Sequence, residues 1–165
     1  MENIENMLRI ARGNVLAYHM VSERLEKERE KLNQGKEAEE DKLELCFPAI
    51  MLLSFSCELY LKILITKKGL TYGRNHDLLS LYEILDADSR RKIREYCGER
   101  DETYFRDTLR LNKDVFPEWR YFYEIELNNK PGNIAVVDAP FLDNFLTGLE
   151  KMNEELSDTN EDKLE

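Results

Sequence analysis

The most constraining feature of the chain is a long apolar run from Cys46 to Ile65, CFPAIMLLSFSCELYLKILI. A run of this length and composition could cross a bilayer as a helix. However, Glu58 and Lys62 fall well inside it, and charged side chains in the middle of a membrane span are costly. We therefore predict a helix that is buried inside a water-soluble domain and has neighbours on most of its sides.

The ends of this central helix are marked by residues with known positional preferences. Pro48 suits the first helical turn, where its missing N–H would have no partner in any case. Lys67 and Lys68 place positive charge beside the exposed carbonyls of the last turn, and Gly69 tolerates a left-handed cap. The sequence therefore predicts a helix from about Pro48 to Gly69.

The rest of the chain also favours helices, because 7 Gly and 4 Pro in 165 residues leave few turn signals. Apolar residues at alternating steps of four and three predict a first helix over about 5–32. Asp77 can cap a short helix, and either Asp86 or Asp88 can cap the next one. Apolar residues at helical spacing predict a last helix from about Ala139 to Leu156.

These segments predict an all-α fold, an antiparallel helical bundle of about five to six helices. The segment Asn128 to Asn133, NNKPGN, interrupts the helical pattern, and 134–137 could form a short extended piece. A chain of this length can bury a core as one domain, which we place at residues 1–156. The acidic residues at 157–165 predict a frayed tail.

The charge and the cysteines limit the possible functions. The net charge of −10 disfavours a protein that coats nucleic acid regardless of sequence, because phosphate binding needs a surplus of Lys and Arg. A small local basic groove remains compatible with it. Cys46, Cys57 and Cys97 lack metal-ligand spacing, so we expect no metal and no cofactor. Unpaired thiols and the absence of a signal-peptide pattern predict a cytoplasmic protein without a membrane partner.

The charged residues of the central helix are the first candidate binding residues. Glu58 and Lys62 are four positions apart, in the order that favours a helical ion pair. A buried ion pair contributes little net stability, because desolvation offsets much of the attraction. The pair therefore either forms an internal salt bridge or borders a functional groove.

His76 precedes the short helix that Asp77 can cap. It either satisfies the turn by hydrogen bonding or acts as a catalytic acid or base with Arg120 or Glu124 as its partner. These partners belong to the aromatic segment Phe116 to Glu126, and their spacing places both on one helical face. The aromatic residues there, including Tyr123, either pack in the core or stack on unpaired bases.

A short basic run gives this acidic chain one further candidate site, a phosphate-contacting patch. The run comprises Arg90, Arg91, Lys92 and Arg94, with Lys67, Lys68 and Arg74 nearby in sequence. Such a run is otherwise a solvated helix face. The two interpretations differ in whether these segments meet in space.

Four segments together resemble the HEPN domain family of prokaryotes, namely SFSCELYLKILITKKGL, NHDLLSLYEIL, FPEWRYFYE and VDAPFLDNFL. Family members carry a Glu-Leu-Tyr-Leu-Lys segment on a long apolar helix, here Glu58 to Lys62. A Gly-His-Asp-Leu turn follows, here Asn75 to Leu78, and then an Arg-Tyr-x-Tyr-Glu stretch, here Arg120 to Glu124. The resemblance covers about 49–146 and implies a bundle of about five helices that forms a two-fold homodimer.

The resemblance also implies a relation to RNA, since active members of the family are metal-independent ribonucleases. Their site pairs an Arg with a His a few residues later, and the pair acts on the RNA 2′-hydroxyl and phosphate across the dimer. In this chain no His follows Arg120 at that distance. Arg12 and His19 match the spacing, but they lie in the first helix, outside the family's position. We therefore expect the usual ribonuclease centre to be missing.

On this basis we predict a HEPN-like domain that binds RNA or a nucleotide-bearing partner in a defence or toxin–antitoxin setting. The candidate catalytic residues are Arg120, His76 and Glu124. The candidate binding residues are Glu58, Lys62, Tyr123 and Arg74. Two alternatives stay open: a metal-independent endoribonuclease with an altered site, or a non-catalytic interaction module that partners a nucleotidyltransferase or an antitoxin.

Overall fold

The computed structural model describes residues 2–120 and 137–161 of the chain. Within these ranges all regular secondary structure is helical, which confirms the predicted all-α fold. The helices are α1 (Glu2–Asn33), α2 (Glu40–Leu43), α3 (Cys46–Lys67), α4 (Leu78–Ile84), α5 (Ala87–Tyr96), α6 (Glu102–Leu111), α7 (Val115–Arg120) and α8 (Ala139–Glu161).

Helix α3 is the centre of the bundle, as predicted. It packs against α1, α8, α7 and α4, and residues on nearly all of its sides are buried. It begins two residues before Pro48, which therefore lies in the first turn. Its C-terminus forms a complete left-handed cap: Gly69 has a φ of 70°, its N–H donates to Thr66 O, and the Leu70 N–H donates to Ile65 O.

By length and composition, the segment Asp41–Lys67 could cross a membrane. In the structure, 61% of its most apolar window is buried by the other helices. Two charged side chains inside this segment, Glu58 and Lys62, are buried as well. The packing is therefore that of a core helix, which is compatible with a soluble protein.

Aspartates fix the starts of three successive helices. Asp77 accepts a hydrogen bond from the Ser80 N–H at α4, and Asp101 accepts one from the Tyr104 N–H at α6. Of the two residues considered for α5, Asp86 is the cap, because its carboxylate accepts a hydrogen bond from the Ser89 N–H. The caps at Asp77 and Asp86 lie where the sequence predicted them, whereas the cap at Asp101 was not predicted.

The core beside α3 is built from aromatic side chains of α4, α6 and α8. Tyr82, Phe105 and Phe145 are fully buried, and their ring centroids lie 5.3 to 6.1 Å apart. Helices α5 and α8 cross closely at Gly148, where an added Cβ would lie 2.6 Å from Cys97 Sγ. The glycine is therefore required by this contact.

The last helix extends beyond the predicted boundary. It was predicted to end at Leu156 and to be followed by a frayed tail, whereas α8 continues to Glu161. Ser157 holds the additional turn, since its hydroxyl donates to Asn153 O and accepts from Lys67 Nζ. The interruption predicted at 128–133 and residues 134–136 of the short extended piece lie outside the described residues.

Candidate functional site

The buried carboxylate of Glu58 is the centre of the candidate site. Glu58 lies on α3 with 1% of its surface exposed. One turn later on the same helix, Lys62 Nζ donates to Glu58 Oε1 over 2.7 Å. The ion pair that the sequence predicted on α3 is therefore present and faces the interior.

His76 contacts the same carboxylate oxygen from outside α3. Its Nδ1 lies 2.9 Å from Glu58 Oε1, while 54% of its side chain remains exposed. The turn that carries His76 is held on both sides, because Asn75 Oδ1 accepts a hydrogen bond from the Asp77 N–H and the Leu78 N–H donates to Lys113 O. The imidazole is thus fixed at one edge and open to solvent at the other.

This geometry determines the tautomer of the histidine. An ionised carboxylate can only accept hydrogen bonds, so the hydrogen lies on Nδ1 of His76, which donates it in a hydrogen bond to Glu58 Oε1. In the neutral ring Nε2 is then the acceptor. A buried carboxylate that orients an imidazole in this way prepares the exposed nitrogen to take up a proton or to bind a donor.

Lys62 is held between two groups. Its ammonium donates to Glu58 and lies 5.1 Å from the centroid of the Tyr72 ring, a cation–π distance. The second carboxylate oxygen, Glu58 Oε2, is buried and accepts no hydrogen bond from the described residues. The site therefore holds one cation firmly and retains one buried acceptor.

The structure brings together some of the predicted site residues. Glu58, Lys62 and His76 are in direct contact. Arg74 lies exposed on the same turn as His76 and makes no ion pair with any side chain that the structure describes. Tyr72 was missed as a site residue, although its position in the turn TYGRN after the central helix was a signal for it.

The structure describes only the first part of the aromatic segment Phe116 to Glu126. Its first part forms α7, which packs on α3 through a stack of Phe116 on Phe55 with centroids 4.7 Å apart. Arg120 ends α7, but its side chain lies outside the described part of the chain. Tyr123 and Glu124 lie outside the described residues altogether. The convergence of Arg120 with His76 thus stays a prediction.

Most of the basic run is neutralised by acidic side chains from its own helix and from others. Its ion pairs are Arg91 with Asp88 and Glu95, Lys92 with Glu155, Arg94 with Glu102, and Lys68 with Asp86. Lys67 donates instead to Asn153 O and Ser157 Oγ. The run therefore favours the interpretation as a solvated face over a phosphate-binding patch.

Arg12 lies on the other side of α3 from His76. It lines a narrow cleft of about 40 Å³ with Tyr60 and Glu150, enough for a few water molecules. Tyr60 is two positions after Glu58, so the two side chains point in nearly opposite directions from α3. Arg12 and the site at His76 are thus separate.

Burial dominates the electrostatics of this cleft. It raises the pKa of Tyr60 to about 12, and the Tyr60 hydroxyl donates to Glu150 over 3.2 Å. Burial also raises the pKa of Glu150 and lowers that of Lys67, and Arg12 nearby lowers the latter further. None of the described residues forms a cluster of His, Cys, Asp and Glu that could hold a metal ion.

The chain matches no model of a known protein family, no curated protein and no solved structure. The resemblance to the HEPN domain family therefore stays a prediction. The contacts of Glu58, Lys62 and His76 are the structural basis for inferring a function.

Proposed function

We propose that the chain is a HEPN-like cytoplasmic domain that binds single-stranded RNA at the site formed by Glu58, Lys62 and His76. The observation that supports this most is the 2.9 Å contact of His76 Nδ1 with buried Glu58, which directs the other edge of the imidazole to solvent. An exposed imidazole can stack on an unpaired base or bond to it. The setting that we propose is a defence or toxin–antitoxin system, on the resemblance alone.

Arg74 extends this surface with a positive charge. It is exposed two positions before His76, and no described side chain neutralises it. Phosphate contacts of this kind position a nucleic acid, while base contacts give selectivity. Because the protein as a whole carries a net charge of −10, we expect weak binding. Since Arg74 supplies one phosphate contact, the affinity should fall only modestly with salt.

The test is fluorescence anisotropy with labelled single-stranded RNA of mixed sequence, in low salt and EDTA. We expect Arg74→Ala and His76→Ala each to weaken binding at least about fivefold, the size of one lost phosphate or base contact. Arg100→Ala is the matched control, since it removes another exposed arginine, which lies between α5 and α6. Equal affinity of the wild type and the three variants would overturn the assignment of the site. The absence of any binding by the wild type would overturn the RNA-binding function and favour the non-catalytic interaction module.

A second candidate function is a metal-independent endoribonuclease, which the Glu58–His76 contact specifically favours. In this reaction His76 Nε2 takes the proton of the RNA 2′-hydroxyl. The 2′-oxygen attacks the adjacent phosphorus, and the bond to the 5′-oxygen of the next nucleotide breaks. The products are a 2′,3′-cyclic phosphate and, once the leaving oxygen gains a proton, a 5′-hydroxyl.

The endoribonuclease is tested on the same RNA by looking for cyclic-phosphate ends in the presence of EDTA. Cleavage that is lost in His76→Ala, in protein that keeps its helical circular dichroism, would support it. Cleavage that persists in His76→Ala would remove the assignment of His76. If the wild-type protein binds the RNA without cleaving it, the endoribonuclease function is excluded and only the binding function remains.

A further inference from the structure

The narrow cleft between α1, α3 and α8 is lined by charged side chains of both signs. Arg12 comes from α1, Lys67 from α3, and Glu150 and Glu154 come from α8. None of the four makes an ion pair with a side chain that the structure describes, although ion pairs are frequent elsewhere on this protein. The cleft therefore contains two positive and two negative groups that no direct contact neutralises.

Lys67 and Arg12 form the positive end of the cleft. The Lys67 ammonium is half-buried, and the acceptors that the structure describes for it are neutral, namely Asn153 O and Ser157 Oγ at 2.9 Å each. Burial lowers the pKa of Lys67, and the guanidinium of Arg12 nearby lowers it further. Two neighbouring cations without a carboxylate partner favour the binding of an anionic group between them.

Glu150 forms the negative end of the cleft. Its carboxylate is half-buried and accepts a hydrogen bond from the Tyr60 hydroxyl over 3.2 Å. Burial raises the pKa of Glu150, and the nearby acids Glu154 and Asp143 raise it too, whereas the Tyr60 hydrogen bond and His19 act in the opposite direction. A carboxylate that is partly desolvated and close to other acids favours a cationic group beside it.

Asn153 adds an unsatisfied acceptor to the wall of the same cleft. It is 3% exposed, and its Nδ2 donates to Tyr60 O and Leu149 O. Its Oδ1 is buried and accepts no hydrogen bond from the described residues. Because buried polar groups usually have a partner, this side of the cleft favours a ligand that carries a hydrogen-bond donor.

We propose that this cleft binds a small zwitterion, namely a free α-amino acid such as glycine or alanine. The ligand carboxylate lies between Arg12 and Lys67, and the ligand ammonium donates to Glu150. A simple anion would be repelled by the two glutamates, and a simple cation would be repelled by Arg12 and Lys67. Because the cleft measures only about 40 Å³, both charged groups must lie close together on the ligand, as they do on an α-carbon. The cleft is separate from the proposed RNA site.

Titration of the isotope-labelled full chain with glycine, followed by the NMR shifts of its backbone amides, tests the proposal. We expect saturable shifts around the cleft with a Kd of about 1 mM, which is ordinary for so small a ligand. Acetate and methylammonium are the matched control probes, since each carries one of the two charges of glycine, and each should bind at least about fivefold more weakly. The absence of saturable shifts with glycine, or acetate that binds as tightly as glycine, would overturn the proposal.

Two substitutions test the orientation of the ligand. We expect Arg12→Gln and Glu150→Gln each to weaken glycine binding at least about fivefold, whereas Arg9→Gln, which removes an exposed arginine of α1 outside the cleft lining, should not. Glu150→Gln keeps an acceptor for the Tyr60 hydroxyl and removes a negative charge, so it should strengthen acetate binding while it weakens glycine binding. A merely structural effect would weaken both. If Glu150→Gln weakens both probes, or if neither substitution changes glycine binding, the proposal is wrong.

Discussion

His76 and Glu58 are joined by a 2.9 Å contact between Nδ1 and Oε1, and this contact links the turn before α4 to the centre of α3. The same oxygen accepts the hydrogen bond of Lys62, so one buried atom receives two donors from different parts of the chain. A buried charge that is paired only through such contacts is sensitive to the loss of any partner. The local stability and the orientation of the imidazole therefore depend on the same carboxylate.

Replacement of Glu58 by glutamine tests this dependence. Glu58→Gln keeps the shape but leaves the buried Lys62 ammonium without a carboxylate, so we expect the free energy of unfolding to fall by about 2–4 kcal/mol. Urea denaturation followed by circular dichroism measures it. The double variant Glu58→Gln/Lys62→Met should recover part of the loss, because it removes the unpaired charge. If the losses of the two single variants simply add in the double variant, Glu58 and Lys62 are not energetically coupled.

The crossing of α5 and α8 gives a prediction about packing. In Gly148→Ala the new Cβ would lie 2.6 Å from Cys97 Sγ and 2.8 Å from Ile93 O, and the backbone oxygen cannot move aside easily. We expect a loss of about 2–3 kcal/mol in the free energy of unfolding. Gly13→Ala is the matched control, because a Cβ there would meet nothing within 4 Å and helix propensity should raise stability by up to about 1 kcal/mol. Equal effects at both positions would refute the close crossing.

The cap of α5 gives a prediction about pH. The Lys68 ammonium, together with the Ser89 N–H, holds the pKa of Asp86 well below its usual range. The unfolded chain therefore binds a proton at Asp86 at a higher pH than the folded chain does. The ionised Asp86 carboxylate therefore stabilises the folded protein fully above about pH 4, the pKa of an aspartate in the unfolded chain. This stabilisation is lost as the pH falls toward the pKa of Asp86 in the folded protein.

Asp86→Ala should therefore lower the free energy of unfolding at neutral pH by about 1 kcal/mol. The difference from the wild type should shrink as the pH falls below about 4. Asp88→Ala is the control, because Asp88 lies in the same first turn but pairs with exposed Arg91 instead. A difference that stays constant down to acidic pH would show that the carboxylate charge does not matter.

The sequence predicted those parts of the structure that depend on local signals. The central helix follows from its apolar run, and the caps at Asp77, Asp86 and Gly69 follow from residue preferences at helix ends. The contact of His76 with Glu58 could only be suspected, because it depends on how α4 folds back on α3. Tyr72 under Lys62 was missed for the same reason.

The basic run also shows that contacts between helices cannot be predicted from local sequence patterns. The sequence left open whether Lys92 and Arg94 belong to a positive patch or to a solvated face, and in the structure Glu155 and Glu102 neutralise them from α8 and α6. Ion pairs between helices depend on packing, which no local pattern of charge encodes. The net charge of this surface could therefore be determined only from the structure.

The cysteines give a prediction about chemical reactivity. Burial raises the pKa of Cys57 well above its usual value and that of Cys97 to about 12. The thiolate is the reactive form, so neither should react in the folded protein with a thiol reagent such as Ellman's reagent. Cys46 and Cys97 are both partly exposed, but the high pKa of Cys97 keeps it protonated, so Cys46 should react first and Cys46→Ser should abolish this reaction. Release of all three thiols at one rate without denaturant would contradict the described core.

Tyr72 gives a prediction that separates its ring from its hydroxyl. The Lys62 ammonium lies 5.1 Å from the ring centroid, and this cation–π contact needs the aromatic face alone. We expect Tyr72→Leu to lower the free energy of unfolding by about 1–2 kcal/mol, whereas Tyr72→Phe should remain close to the wild type. In the Lys62→Met background the cost of Tyr72→Leu should shrink, since the cation is gone. If Tyr72→Phe is as destabilised as Tyr72→Leu, the hydroxyl rather than the ring face holds the turn against α3.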